Sequence, residues 1–426
     1  MTHLSRAARA CHYIIVAAII TAGLSQTSAR ATSEGNVWYP IYTLQSPSGV
    51  SNLLWFEEVY NTSNVFLGSR AQLWALNSAN AETSKGSVFA KGSGWGLGDV
   101  QYASNGTLRS SWFKSGTFTG GVYTGDSIQI WQMTAGGVET SEGPIYTKGA
   151  EWYSTGAGML PDGTFRAIWV KYGTYGTGDV YSGDTVSIWT LNASGTETSE
   201  GPLLFKGAGW HYNGLVIASD ESFRLEWSNE AALGGKAPVA ATDAQIWTVS
   251  TSGAVTSQGP ILSKGAGWNP LGLGIASSNN TLRLRWASDD YTTGIYSVAV
   301  WALTTGGAET SEGANFSEAK DWYPFGFTVT SGGDSIMGWI LYSPAGEALK
   351  VSVFNSAGNY ALTGPTYQPG GKWVADLGVP KTLANGDIQV VWILPPASAS
   401  ITTATGSVWT LNPTGTKLVG GPLLTF

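Results

Sequence analysis

The chain has 426 residues, with 57 glycines, 20 tryptophans and 12% charged residues, and its 22 Lys plus Arg against 29 Asp plus Glu leave a net charge of -7. The acidic balance excludes a nucleic-acid binder, which needs a basic stripe, and the aromatic share of 12% excludes a disordered chain, because it supplies ample surface to bury. One cysteine leaves no disulfide framework, and since only one of the three histidines would survive export cleavage, neither a metal nor a cofactor is expected.

The first predicted element is an export signal over residues 1–31. Arg6 and Arg9 precede an apolar run from Tyr13 to Leu24, and a small-residue region follows. Ala29-Arg30-Ala31 offers a cleavage site, so the mature chain is expected to begin near Thr32. The apolar run is short for a membrane span, and no membrane insertion is expected. An uncleaved N-terminal anchor is the alternative. Cleavage would remove Arg6, Arg9 and Arg30 and no acid, leaving 19 basic against 29 acidic residues, a net charge of -10. Cys11, His3 and His12 would leave as well, and His211 would be the sole imidazole. The expected location is secreted or periplasmic.

From Trp38 onward the chain repeats. One tryptophan series is Trp38, Trp95, Trp152, Trp210, Trp268, Trp322 and Trp373, at steps of 51 to 58 residues. A second is Trp55, Trp112, Trp169, Trp227, Trp286, Trp339 and Trp392, each 17 to 19 residues after its partner. A third is Trp74, Trp131, Trp189, Trp247, Trp301 and Trp409, with Phe354 in the missing place. Together the three series use all 20 tryptophans. The repeats fall near 38–94, 95–151, 152–209, 210–267, 268–321, 322–372 and 373–426.

Each repeat reads as four short strands. In the fifth, Gly267–Ala276 is the first, Thr281–Ala287 the second and Ser297–Leu303 the third, with the fourth expected near Ala314–Ser317. The second strand alternates: Leu282, Leu284 and Trp286 share one face, Arg283 and Arg285 the other. Phe165, Ala167 and Trp169 oppose Arg166 in the same way, and Phe223, Leu225 and Trp227 oppose Arg224. Ser104–Thr107, Pro161–Thr164 and Asn192–Gly195 carry hairpin-turn residues. A four-stranded sheet of this size cannot cover both its faces alone, whereas seven stacked radially cover one another. The expected fold is all-β, a single seven-bladed β-propeller of four-stranded antiparallel blades over residues 32–426. The segments Thr32–Pro40 and Ser407–Phe426 are both expected to join one closing blade.

The run D-G-T-x-R-x-x-W, S-I-W-x-L-x-x-x-G, G-P and G-W resembles the tryptophan-rich propeller repeats of exported bacterial proteins, and loosely the FG-GAP/VCBS class. The resemblance implies a propeller. The D-x-D-x-D-G calcium loop common in FG-GAP repeats is absent here. The matching turns read SNGT, PDGT, SDES and SSNN, too few oxygen ligands for a hard cation.

Arg109, Arg166, Arg224 and Arg283 stand three residues before the second tryptophan in copies two to five. Glu142, Glu200 and Glu312 occupy the S-E-G-P position, where Gln258 replaces them in copy four. The expectation is a structural latch in which each guanidinium reaches an S-E/Q-G-P turn; a ring of ligand-binding arginines is the alternative. Lys91, Lys148, Lys206 and Lys264 of the K-G-x-x-W motif are expected to lay their stems over tryptophan.

The loops between the second and third strands carry aromatics amid glycine. In a propeller they share a face with the crossovers between blades. The candidate ligand-binding residues are Tyr123, Asp126, Tyr172, Tyr175, Tyr181, Asp184, Tyr291 and Tyr296, since aromatic faces beside short acceptors suit sugar rings. The functional expectation is an exported, non-enzymatic binding propeller, lectin-like, with several weak carbohydrate or cell-surface sites. A scaffold for an extracellular protein is the second reading, and a glycoside hydrolase or lyase the third. The last would need two carboxylates across a cleft; Glu57, Glu58, Glu226, Asp289 and Asp290 are the acids on offer, and no catalytic set emerges from them.

Overall fold

Both faces of the second strands are buried. Phe223, Leu225 and Trp227 on one face of that strand, and Glu226 on the other, are all 0% exposed. A sheet with two covered faces needs a neighbour on each side, which is the requirement a propeller meets. The computed structural model describes residues 37–426 except 64, 93, 161, 178–179, 231–241, 291–292, 344–345, 371, 376–380, 384 and 397–402. The export-signal expectation and Tyr291 lie outside the described residues.

Seven sheets follow one another along the chain, within residues 38–90, 96–147, 153–205, 210–263, 269–317, 322–363 and 374–425. They are blades one to seven. In blade three the strands Tyr153–Met159, Phe165–Lys171, Thr185–Leu191 and Glu197–Glu200 pair antiparallel in sequence order. No helix occurs among the described residues. The expected seven-bladed, all-β propeller is the fold of this chain.

The fourth strand needs a correction. In blade five it is Glu309–Glu312, and Phe316–Ser317 is a further two-residue strand laid on the third. The E-T-S-E segment looks like a turn because every residue is polar. It pairs nonetheless, with a bulge at the threonine. That threonine's hydroxyl donates to a third-strand carbonyl, Thr310 to Ala302 at 3.0 Å and Thr198 to Thr190 at 3.2 Å. The bulge's loose acceptor is thereby satisfied.

Tryptophans fill the blades. The second-series indoles are 0% exposed in all seven. Each packs on the third-series ring of its own blade, as Trp55 on Trp74 at 4.8 Å and Trp227 on Trp247 at 5.3 Å. In blade six Phe354 takes the third place, and Phe316 joins it to Trp339 at 5.7 Å on either side. An ammonium caps each set. Lys148, on the crossover from blade two, lies 4.9 Å from both Trp152 and Trp189 of blade three. Lys91, Lys206 and Lys264 repeat this for blades two, four and five. Blades one, six and seven use their own Lys85, Lys350 and Lys417. Partly desolvated contacts of this kind contribute about 0.5–2 kcal/mol each.

One hydrogen bond joins blade to blade. The residue 26 positions before a first-series tryptophan donates its N–H to that tryptophan's carbonyl: Ser69 to Trp95 at 2.9 Å, Asp126 to Trp152 at 2.9 Å, Asp184 to Trp210 at 3.0 Å and Glu347 to Trp373 at 3.0 Å. Ala404 of blade seven makes the same bond to Trp38 of blade one at 2.9 Å. The ring therefore closes by the bond that builds it. Among the described residues each sheet comes from one stretch of chain, with Trp38 bridging in parallel to Thr403 of blade seven; residues 32–36 of the segment expected to join a closing blade lie outside the described residues. Asn80 adds a second clasp, donating to the Val408 carbonyl and to Thr410 Oγ1, both at 3.0 Å.

Candidate ligand site on the loop face

The strand two–three loops are ordered by carboxylates. Asp184 Oδ1 accepts the Tyr181 hydroxyl and the Gly173 N–H at 3.0 Å, and its Oδ2 accepts the Tyr212 N–H of blade four at 2.8 Å. Asp126 repeats the arrangement with Tyr123, Gly116 at 3.3 Å and Ser154 of blade three at 2.7 Å. Glycine is required at 173 because a Cβ there would stand 2.6 Å from the Gly183 carbonyl. Burial raises the pKa of both aspartates, and these hydrogen bonds oppose it. Burial, with the neighbouring aspartate, also raises that of Tyr123 and Tyr181. All four side chains are 8% exposed or less. Their polar atoms are engaged inside the loop, so they position other residues.

Those other residues form two aromatic stairs. In the first, Tyr123 of blade two stacks on Tyr153 of blade three, with centroids 4.4 Å apart and 6° between planes, and Tyr153 packs on Tyr172 at 5.2 Å. In the second, Tyr296 of blade five packs on Tyr323 of blade six at 4.7 Å, and Tyr323 on Tyr342 at 5.4 Å. The last step is open in both: Tyr172 is 39% and Tyr342 46% exposed. The Tyr172 hydroxyl end is nonetheless desolvated, which raises its pKa, with Asp184 as the next cause.

Blades three and four hold a third run of three rings, which does not reach a tyrosine after the second strand. Tyr181 stacks on His211 at 4.0 Å, and the exposed Tyr175 packs on Tyr181 at 5.0 Å. Burial lowers the His211 pKa to about 4, so the ring is neutral at pH 7. Of the eight residues expected to hold a ligand, the structure brings Tyr123, Tyr172 and Tyr296 into the two stairs. It places Tyr175, Tyr181, Asp126 and Asp184 in the loops beside them. Tyr153, Tyr323 and Tyr342 were missed. The signal for the first two is an aromatic directly after the first-series tryptophan.

The residue before that tryptophan is also informative. Gly94, Gly209 and Gly267 are left-handed there, at φ of 78°, 82° and 80°. Glu151 and Asp321 take the same conformation, at φ of 64° and 66°, in the two blades that carry the full stairs. A side chain in this region costs roughly 1–2 kcal/mol. Glu151 meets Lys171 at 2.6 Å with both side chains about half exposed, a contact of about 0.2–1 kcal/mol. That pair does not offset the strain. Glu221 is a third left-handed acid, at φ of 63°, but it lies in a strand one–two turn, where its charge acts on Arg166.

The arginine latch takes different partners from those expected. Arg109 Nε donates to the Ala193 carbonyl at 3.1 Å, and Arg224 Nε to that of Thr305 at 2.6 Å. Both acceptors are in the strand three–four hairpin of the next blade, not in an S-E-G-P turn. Arg166 and Arg283 turn Nη1 to the carbonyls of Phe165 at 3.2 Å and Leu282 at 2.7 Å. The glutamates pair with crossover lysines instead, Glu142 with Lys91 at 3.5 Å and Glu200 with Lys148 at 3.7 Å. Glu312 acts on Lys264 in the same way. The arginines sit on the inner half of the blade and the glutamates on its outer edge, so the two cannot meet.

Of the other acids, Glu226 is 0% exposed. It accepts from Asn213 Nδ2 at 2.6 Å, and burial pushes its pKa up to about 7. Glu57 is buried beside Arg70, at 3.5 Å, and Glu58 accepts from the Tyr60 hydroxyl at 2.9 Å. The side chains of Asp289 and Asp290 are outside the described set. Among the described residues, no group of three His, Cys, Asp or Glu is placed to hold a metal ion.

No family model matches the sequence, and no curated protein matches it. Solved structures are similar in shape at low identity. A protein of unknown function from Dyadobacter fermentans is 12% identical, with 75% of this chain and 95% of that chain covered, at a TM-score of 0.44. The β-propeller domain of the Trilobed protease from Pyrococcus furiosus is 7% identical, over 88% and 93%, at 0.44. Prolyl oligopeptidase B from Galerina marginata is 10% identical at 0.49, and this chain spans about half of it, 53%, while 94% of this chain is covered. The seven-blade fold rests on this chain's own hydrogen-bonded sheets, and these likenesses assign no function. The FG-GAP/VCBS resemblance stays one of repeat pattern.

Proposed function

We propose that this protein is an exported binding propeller that holds carbohydrate on its strand two–three loop face. The observation that carries the reading is the pair of tyrosine stairs, each ending in an exposed ring on that face. A tyrosine ring packed on its neighbour presents a flat apolar surface at little entropic cost, which suits the C–H face of a sugar. Two such platforms on one rigid ring add avidity for a repeating polymer. Export agrees with the N-terminal apolar run and the absence of cysteine after residue 11. The test is retention on insoluble polysaccharides. Tyr172→Ala combined with Tyr342→Ala should abolish retention and leave the melting curve in place. Undiminished retention would remove the reading.

A second reading has its own support. The residue two after the outer-strand glycine is aliphatic and about half exposed or more in five adjacent blades: Leu423 at 68%, Val88 at 49%, Ile145 at 57%, Leu203 at 62% and Ile261 at 57%. An arc of this kind suits a protein partner on the rim. Charge substitution at Leu203 and Ile145, read by cross-linking on the native cell surface, separates rim from loop face.

A further inference from the structure

We infer that Glu151 and Asp321 are the polar half of two matched sugar sites, and that each takes a neutral hexose-type ring bearing adjacent hydroxyls. The inference rests on the carbohydrate reading above and names the residues and the ligand class.

Three observations converge. The backbone at this position does the same job whatever its side chain. Glu151, Gly209 and Asp321 donate N–H to the strand two–three loop of the preceding blade at 2.9, 2.9 and 3.0 Å, and Gly94 to Leu67 at the start of blade one's third strand at 3.0 Å. Glycine performs that task without strain, so the carboxylates add nothing to it. Secondly, the carboxylates appear in the two blades where the run of rings continues to a tyrosine just after the second strand, Tyr172 or Tyr342. Glu151 directly precedes Trp152 and Tyr153, and Asp321 directly precedes Trp322 and Tyr323. Both acids are exposed on the face that carries Tyr172 and Tyr342. Thirdly, each acid has a lysine beside it. Lys171 Nζ is 2.6 Å from Glu151. At the other site Lys320 directly precedes Asp321 in the chain. A side chain kept in a strained backbone with no structural return is a mark of a working site.

The chemistry of the set selects the ligand. The tyrosine ring takes the apolar face of a sugar. The carboxylate accepts two hydroxyl hydrogens, and the ammonium donates to a third oxygen. An anionic polymer would meet the acid's repulsion, and at blade three its attraction to Lys171 is already answered by Glu151. A neutral, polyhydroxylated ring uses all three groups. Blades three and six are three places apart in a ring of seven, so the two sites lie on different sides of the loop face and can engage separate segments of one polymer.

The experiment exchanges each acid for the glycine that blades two, four and five carry. Glu151→Gly and Asp321→Gly, singly and together, are measured for thermal midpoint and for retention on cellulose, xylan, mannan and a β-1,3-glucan, with alginate as the anionic arm. The midpoint should hold or rise by a degree or two. The double variant should lose at least tenfold in retention on the neutral polymer that the native protein holds. Glu151→Gln should keep more binding than Glu151→Gly, because an amide oxygen still accepts. A fall in midpoint with unchanged retention would make these acids structural and overturn the inference, as would tighter native binding to alginate than to every neutral polymer. If Tyr172→Ala with Tyr342→Ala loses retention while the glycine variants keep it, the carbohydrate reading stands and the role of the acids falls. If the native protein holds none of the neutral polymers, both fall.

Discussion

Phe426 lies flat on Trp38, with ring centroids 4.0 Å apart and 6° between planes, and its other neighbours are Trp55 and Trp74 at 5.7 Å. In blade three a crossover lysine occupies the same place, between the first- and third-series tryptophans. In blade one an aromatic ring from the far end of the sequence fills it. Phe426→Ala should therefore loosen the seam between blades seven and one. The expected cost is about 2–4 kcal/mol, read as a lower urea midpoint, with Phe426→Leu losing less.

The third-series indoles of three blades are anchored by a glutamine two residues earlier. Gln245 Oε1 accepts from Trp247 Nε1 at 3.1 Å, and its Nε2 donates to the Gly259 carbonyl at 2.5 Å. Gln245→Ala strands a buried donor and a buried acceptor together. Each stranded group costs about 1–3 kcal/mol, so the thermal midpoint should fall by several degrees. At Trp189 the residue two earlier is Ser187, and neither its hydroxyl nor the indole N–H has a partner among the described residues. Ser187→Ala should accordingly be nearly silent in the same assay.

Stability should depend on pH through two buried groups of opposite sign. Burial raises Glu226 to about 7, above its unfolded value. The folded state therefore binds the extra proton, and this contribution is present at low pH and lost as pH rises through about 7. Burial lowers His211 to about 4, so its contribution is present above the unfolded histidine range and is lost as pH falls through about 4. The two largely cancel between them. Glu226→Gln keeps the bond from Asn213 and removes the titration. Urea midpoints of this variant should rise with pH from about 4 to 6.5 and exceed those of the native protein at pH 8. A variant no more stable than native at pH 8 would refute the assignment to Glu226.

Asp184 holds its loop and the next blade at once. Asp184→Ala leaves the Gly173 and Tyr212 N–H groups and the Tyr181 hydroxyl without their shared acceptor. A loss of about 2–4 kcal/mol is expected, together with new proteolytic cutting between residues 172 and 184. Cutting elsewhere first would show that the loop is ordered by other contacts.

The architecture was legible because indoles mark it. Three tryptophan positions per repeat are all interior, so their spacing counts the blades directly. The fourth strand was misplaced because E-T-S-E is fully polar and lies at the exposed edge, where burial leaves no pattern to read. The arginines and glutamates were coupled wrongly because both occur in the same, best-kept copies. Shared occurrence reflects copying, whereas contact depends on where each residue falls across the blade. The stairs escaped notice because their steps come from two blades, Tyr123 from one and Tyr153 and Tyr172 from the next. Glu151 and Asp321 looked ordinary as residues. Their meaning appears only beside the backbone angle that Gly94, Gly209 and Gly267 share with them.

The lysines that cap the tryptophans belong, in four cases, to the preceding unit. Lys148 leaves blade two and completes blade three. A repeat excised from this protein would carry its cation away from the rings it serves and leave its own rings bare. Grafting or shuffling here should thus succeed when the cut falls inside a sheet, after the third strand, and fail when it falls at the apparent boundary between copies.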